Sequence, residues 1–272
     1  MKQFYIVCDI SLCQNCSSCK MACEDEHVDN EWPPYTNAQP KYEHGWMNLL
    51  YKERGQYYRN DSVCLPVPCQ HCSDAPCIKA NHSCINRLEE GIVLIDIDKA
   101  KSNKSLVDSC PYGAIFWNEE ADIAQKCTMC AHILVGGCWE GYNMPRCVHS
   151  CPTKALEFHH IEPAEMEKKI IDESLECYKP EFSGGKANVY YKNLYRYEKL
   201  FIAGGILIDG ECAEGVIVTL VGSNQTFMQK TNFFGDFKFD GLYPGIYTIS
   251  INGETVKTVK IDESENVGNI IF

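Results

Sequence analysis

Hydrophobic and polar positions divide the chain into stretches of different period. Residues 3 to 10, Gln-Phe-Tyr-Ile-Val-Cys-Asp-Ile, form an apolar, β-prone run that leads into a loop, and Ser62 to Pro68 lead in the same way into another. Gly91-Ile-Val-Leu-Ile-Asp-Ile-Asp-Lys-Ala100 repeats that strand-then-loop form. Pro163 to Glu176 has the helical period, with Met166, Ile170 and Leu175 on one inward face. Val189-Tyr-Tyr-Lys-Asn-Leu-Tyr-Arg-Tyr197 reads as an extended linker strand. From about Leu200 the pattern alternates between glycine turns: Gly204 to Gly210, Gly215 to Val221, Gly235 to Gly241 and Pro244 to Ile251. Such alternation predicts a small antiparallel sandwich or barrel.

Between Cys23 and Cys64 the pattern is broken by aromatics and prolines: Trp32, Pro33, Pro34, Tyr35, Tyr42, Trp46, Tyr51, Tyr57 and Tyr58. This insertion suits either a lid that excludes water or a partner interface, where aromatic anchors concentrate. With 272 residues, 45% of them hydrophobic, the chain can bury a core in one or two domains. Its net charge of -12 leaves no basic stripe to neutralise phosphates, which disfavours nucleic acid and leaves a protein as the expected partner. The start, Met-Lys-Gln-Phe-Tyr-Ile-Val, has no signal-peptide apolar region, twin arginine or cleavage site, and no run nears the roughly 20 apolar residues of a membrane span. A soluble, cytoplasmic protein is expected.

Eighteen cysteines change the picture. In a short secreted chain they would imply disulfides, but here they fall in tight Cys-x-x-Cys groups within a long chain, which favours metal. Cys13-Gln-Asn-Cys16-Ser-Ser-Cys19-Lys-Met-Ala-Cys23 has the bacterial ferredoxin spacing, in which three thiolates grip one iron-sulfur cluster and the fourth reaches another. The reciprocal group is Cys127-Thr-Met-Cys130 with Cys147-Val-His-Ser-Cys151-Pro152. By the crossing rule, Cys13, Cys16, Cys19 and Cys151 hold a first cluster, and Cys23, Cys127, Cys130 and Cys147 a second.

A further group, Cys69-Gln-His-Cys72-Ser-Asp-Ala-Pro-Cys77, supplies three ligands, and Cys110-Pro111 completes a third cluster. Cys110-Pro-Tyr-Gly-Ala-Ile-Phe-Trp117 echoes Cys151-Pro-Thr-Lys-Ala-Leu-Glu-Phe158, and Cys8 precedes Cys13 as Cys64 precedes Cys69. Two ferredoxin-like halves, one nested in the other, are implied. Where the spacing would put one more ligand set, the chain has Asn81, Ala100, Asn103 and Leu106. All four belong to the same cluster, so three [4Fe-4S] clusters are expected rather than four, each on four thiolates. Zinc also takes four thiolates from paired Cys-x-x-Cys units, but does not usually need four closely spaced cysteines split between two sites or a Cys-Pro ending. Of Cys8, Cys64, Cys84, Cys138, Cys177 and Cys212, most are expected to be small buried hydrophobes. Cys138 competes as a ligand, against the spacing of Cys147 and Cys151. His71, His132 and His149 lie inside ligand loops, where they either tune sulfur through hydrogen bonds or are plain polar loop groups.

The cysteine layout over residues 1 to 160 resembles the iron-sulfur subunits of the dimethyl sulfoxide reductase superfamily. Within it, the missing ligand set, the late strands and the segments Asn30-Glu-Trp-Pro33, Tyr190-Tyr-Lys-Asn-Leu-Tyr-Arg196 and Thr231-Asn-Phe-Phe-Gly235 are similar to the small subunits of pyrogallol-phloroglucinol transhydroxylases. Thr231 to Phe239 and Leu242 to Tyr247 also resemble transthyretin-like, carboxypeptidase-regulatory-like domains, which implies a docking module without chemistry. The resemblance implies a cytoplasmic heterodimer. Its large partner subunit would carry molybdenum on molybdopterin guanine dinucleotide (bis-MGD), hold the substrate pocket, and move a hydroxyl between polyhydroxybenzenes. This chain would relay electrons and contribute no catalytic side chain. Two other readings stand beside it, a relay subunit of a dissimilatory reductase or dehydrogenase and a self-standing polyferredoxin. The expected fold is α+β: a nested ferredoxin-like domain over 1–160 with the insertion at 24–63, a helix and linker over 161–199, and a transthyretin-like antiparallel barrel or sandwich over 200–272.

Overall fold

The first apolar run folds as strand β1 (Gln3–Asp9), and its five central residues are all buried. A strand covered on both faces reads as a continuous apolar run instead of an alternating one. In the computed structural model, which describes residues 1–223 and 225–272, β1 is the centre of a three-stranded sheet. Strand β8 (Leu156–Ile161) pairs with it antiparallel, and β9 (Val189–Lys192) parallel. The stretch expected as an extended linker strand is a strand over Val189–Lys192, and it lies inside a sheet. Val189 and Tyr191 are fully buried there, the Tyr191 hydroxyl donates to the Pro66 carbonyl at 2.9 Å, and Asn188 donates to the Phe4 carbonyl at 2.7 Å.

The predicted helix is α5 (Pro163–Glu173). The Glu165 carboxylate accepts from the Glu162 N–H at 3.1 Å, which closes a capping box. The helix ends at Ser174 in the left-handed region, so Leu175 packs from just beyond it, with Met166 and Ile170, against Tyr5, Val7 and Tyr190.

By their internal contacts the residues form two units, Met1–Leu50 with Cys64–Leu194, and Tyr51–Val63 with Tyr195–Phe272. A hairpin of β2 (Met47–Gln56) and β3 (Arg59–Pro68) contributes to both. The first unit has a second core. The hairpins β4 (Ile85–Arg87) with β5 (Val93–Ile95) and β6 (Phe116–Asn118) with β7 (Ile123–Gln125), helix α2 (Pro76–Ala80) and the 3-10 helix Lys104–Ser109 surround it. Cys84, Ile85, Ile95, Ala100, Leu106 and Ile123 fill it.

In the second unit, β10 (Leu200–Ile208) carries β11 (Glu211–Cys212), β14 (Asp236–Leu242) and β17 (Glu265–Ile271). A second sheet has the order β13 (Thr226–Lys230), β12 (Ile217–Val221), β15 (Gly245–Ile251), β16 (Glu254–Ile261). Both sheets contribute to one core, including Ile202, Phe237, Leu220 and Ile249. They do not close into a barrel, and β17 pairs with β10 in parallel. The expectation of a purely antiparallel module is corrected there, since alternation records which side chains are buried and not which way a strand runs. Gly204 admits close packing in β10, where a Cβ would stand 2.6 Å from Val267 and 2.7 Å from Phe237. The side chain of Arg54 is fully buried and pairs with Asp240 at 2.8 Å and Asp61 at 3.0 Å. Among the described residues, no helix is long and apolar enough to cross a membrane.

Candidate metal centres

Three loops that follow buried strands share one local device. In Cys13-Gln-Asn-Cys16, Cys69-Gln-His-Cys72 and Cys127-Thr-Met-Cys130, the residue before the second cysteine is left-handed: Asn15 at φ 53°, His71 at 46° and Met129 at 54°. Non-glycine residues rarely adopt that conformation, and here it curls the backbone so that the two thiols turn to the same side. The first loop runs into α1 (Ser18–His27), which carries Cys19 and Cys23, and the second into α2, which carries Cys77. After Cys130 come α3 (Ala131–Leu134) and later α4 (Arg146–His149), which carries Cys147 and packs on α1.

The thiols gather in three quartets. Cys13, Cys16, Cys19 and Cys151 line one cavity with Leu49, Pro66 and Leu156. Cys69, Cys72, Cys77 and Cys110 line another with His71, Val93 and Tyr112. Cys23 is buried against Cys127, Cys130 and Cys147. Among the described residues no three Cys, His, Asp or Glu side chains are close enough to hold a single metal ion; in two of the quartets the thiols ring a cavity. The quartets also adjoin. Cys69 is close enough to act on Cys127, and Cys19 on Cys147, so the second quartet neighbours both others.

Burial pushes the Cys72 thiol up to about 12 and the Cys77 thiol up to about 11, and the other thiols of the quartet add to the rise. Burial likewise raises Cys130 to about 12 and Cys127 to about 11, and holds Cys23 and Cys147 well above the usual range. The Lys126 ammonium counters the rise at Cys77, Cys110 and Cys127. Crowded thiols of this kind become thiolates only when cationic metal is present to balance them, and binding releases their protons.

The third quartet offers a sharper test of fit. His71 is 1% exposed, and its Nδ1 accepts the Val93 N–H at 3.0 Å, so the ring proton is on Nε2. That N–H has no partner in the protein and belongs to a residue lining the quartet's cavity. Such an orphan donor is costly unless something accepts from it, and the sulfides of a cluster would. Backbone N–H groups already point at sulfur within the quartets: Ala114 at Cys110 and Met129 at Cys127, each at 3.4 Å.

The cysteines outside the quartets divide. Cys8, Cys64 and Cys84 are buried, Cys177 is half-buried, and Cys138 and Cys212 are exposed, so burial holds for only half of the six. Cys64 lines the first cavity together with Cys13, and its thiol beside Cys13 lowers the Cys13 thiol to about 6. The equal intervals of Cys8 and Cys64 before their loops were the only sequence sign of this. His132 bonds Glu26 at 2.8 Å and stacks on Trp32, while His149 packs on Tyr142. Lys126, with Nζ 3.4 Å from Cys69 Sγ, had no sequence signal.

Comparison with known proteins fits this chemistry. Residues 61–161 match the family described as a 4Fe-4S dicluster domain. The chain is 49% identical to the pyrogallol hydroxytransferase small subunit of Pelobacter acidigallici, over 97% of this chain and 96% of that one. The protein belongs to the pyrogallol hydroxytransferase small-subunit family. It is also 28% identical to a subunit of the sulfite dehydrogenase of Allochromatium vinosum, over 70% of this chain and 83% of that one. With a component of the anaerobic dimethyl sulfoxide reductase of Escherichia coli it shares 29% identity, over 70% of this chain and 88% of that one. As a hydroxytransferase small subunit it is the iron-sulfur member of a larger enzyme, and the dicluster match takes in Cys69 through Cys151 but not Cys13 to Cys23.

Proposed function

We propose that the chain is the electron-relay subunit of a cytoplasmic molybdopterin enzyme that transfers a hydroxyl between pyrogallol and phloroglucinol-type polyhydroxybenzenes. Three [4Fe-4S] clusters are held by Cys13, Cys16, Cys19 and Cys151, by Cys23, Cys127, Cys130 and Cys147, and by Cys69, Cys72, Cys77 and Cys110. Bound there, the clusters supply one-electron transfer. The chain's own part is to exclude water, to fix the three quartets next to one another, and to point N–H donors at ligand sulfur. The large partner subunit carries the molybdenum cofactor and the substrate pocket. The first unit is a nested ferredoxin-like body, and the two-sheet unit is a transthyretin-like docking module.

The observation that carries this reading is the meeting of thiols from distant loops in fours, while the place of a further quartet is taken by apolar core. Ala100 and Leu106 are both fully buried in it. Anaerobic iron and acid-labile sulfide analysis of the native complex is expected to find about twelve irons for this chain. A zinc-loaded protein, or about sixteen irons, overturns the count. For the reaction, pyrogallol and tetrahydroxybenzene supplied without any external electron donor or acceptor are expected to yield phloroglucinol. Because that exchange is redox-neutral overall, the clusters prime or reset the molybdenum centre and do not carry steady current. Activity only with an added redox dye would instead assign the chain to an ordinary molybdenum oxidoreductase.

A further inference from the structure

Lys126 is 3% exposed, and a lysine so deeply buried needs partners. It follows β7 directly, and its Nζ donates to Cys69 Sγ at 3.4 Å, to the Cys127 carbonyl at 2.9 Å and to the Val93 carbonyl. Three acceptors match the three N–H bonds of an ammonium, whereas a neutral amine has only two to give. The partners are a sulfur and two carbonyls, so no carboxylate among them neutralises the charge. Val93 orders the arrangement twice over. Its carbonyl receives Lys126, and its N–H sets the His71 ring whose free N–H borders the same quartet.

The structure assigns Lys126 the role of a fixed cation that makes the cluster on Cys69, Cys72, Cys77 and Cys110 easier to reduce. This assignment rests on the quartets proposed above and adds which of them is tuned, and by what. One-electron reduction places a further negative charge on a core that is already net anionic with its four thiolates. A cation held at one of those sulfurs, in an interior of low dielectric, favours the reduced form over the oxidised one. The electron is exchanged with the neighbouring cluster of the Cys127 quartet, and no bond or proton moves. Lys126 reaches the neighbouring quartet as well, through the Cys127 carbonyl at 2.9 Å, but its bond to sulfur is to Cys69.

The test is an anaerobic redox titration of the native complex followed by electron paramagnetic resonance, with iron measured on the same samples, for K126M, K126Q and K126R. C72A identifies the signal of the third cluster by removing it. At a fixed potential, K126M and K126Q are expected to shift the third cluster's reduced-to-oxidised ratio about tenfold toward oxidised, equivalent to about 59 mV for a one-electron couple. K126R keeps the wild-type ratio, the second cluster shifts less, and iron content stays constant. Should K126M alone lose the cluster, K126Q, which keeps an N–H donor, provides the reading. A wild-type titration in either neutral variant, loss of the cluster in both, or a K126R ratio as low as theirs overturns the assignment. The underlying reading fails separately: it falls if C72A leaves every signal and all the iron in place.

Discussion

The stretches Cys13 to Cys23 and Cys69 to Asn81 begin alike and end differently. Each follows a buried strand, turns through a left-handed residue before its second cysteine, and enters a helix. In the first, the helix carries Cys23 inward to Cys127, Cys130 and Cys147. In the second, the corresponding residue is Asn81, whose N–H bonds the Cys77 carbonyl at 3.1 Å. The rest of the absent set is Ala100, Asn103 and Leu106, two of them packed among Cys84, Ile85, Ile95, Ile115 and Ile123. A thiol quartet and an apolar cluster are thus two fillings for the same kind of interior. One depends on metal-ligand bonds and on proton release; the other depends on transfer free energy and close packing.

The largest contrast is expected from Cys147→Ser set against Cys84→Ala. Iron and sulfide analysis should show about four irons lost in the first and none in the second; equal losses would break the distinction between the two fillings. Leu106→Ala should then act on the apolar filling alone. It is fully buried, and the truncation is expected to cost about 2–5 kcal/mol in denaturant unfolding with no change in iron. If iron falls in parallel with stability, the core and the quartets are one structure.

Removing the metal sharpens the comparison through pH. In the chelated protein Cys23, Cys127, Cys130 and Cys147 of the second quartet and Cys72, Cys77 and Cys110 of the third have raised values, with Cys72 at about 12 against an ordinary 9.0. A raised value in the folded state means that the fold binds protons that the unfolded chain has already released. Stability is therefore full below the ordinary value and declines as pH rises through 9.0 toward the folded one. Thermal melts of apoprotein from pH 7 upward should show this decline, and iron-loaded protein should not. Iron uptake should rise over the same range, because the ligands must be thiolates. The smallest effect belongs to His71→Ala. It leaves the Val93 N–H without an acceptor, at about 1–3 kcal/mol, and removes the donor proposed to face the third cluster. Its potential should fall by less than in K126M; a larger fall would make His71, and not Lys126, the main tuning group.

Much of the first unit was readable in advance for a local reason. A ligand loop needs only a few residues of correct spacing, so the grouping proposed for the thiols could be drawn from intervals alone. Helix α5 was readable because its apolar face has a period, although its end was set by the left-handed turn at Ser174. Other elements were not legible. The stretch Val189 to Lys192 read as an extended linker strand, but its parallel place beside β1 had no signal. Cys64 looked like packing, yet it faces Cys13.

What the sequence determined by itself was the spacing of its cysteine groups and the alternation of its late strands, since both are written in separations of a few residues. Only the tertiary structure decided what surrounds them. Lys126 reaches Cys69 across 57 residues and Val93 across 33, and Arg54 reaches Asp240 across 186. The direction of β17 beside β10 and the membership of Tyr51–Val63 in the second unit were settled in the same way. A buried charge has no periodic signature; its place is set by whichever distant carbonyls and sulfurs the fold brings to it, because an unpaired cation in the interior is too costly to persist.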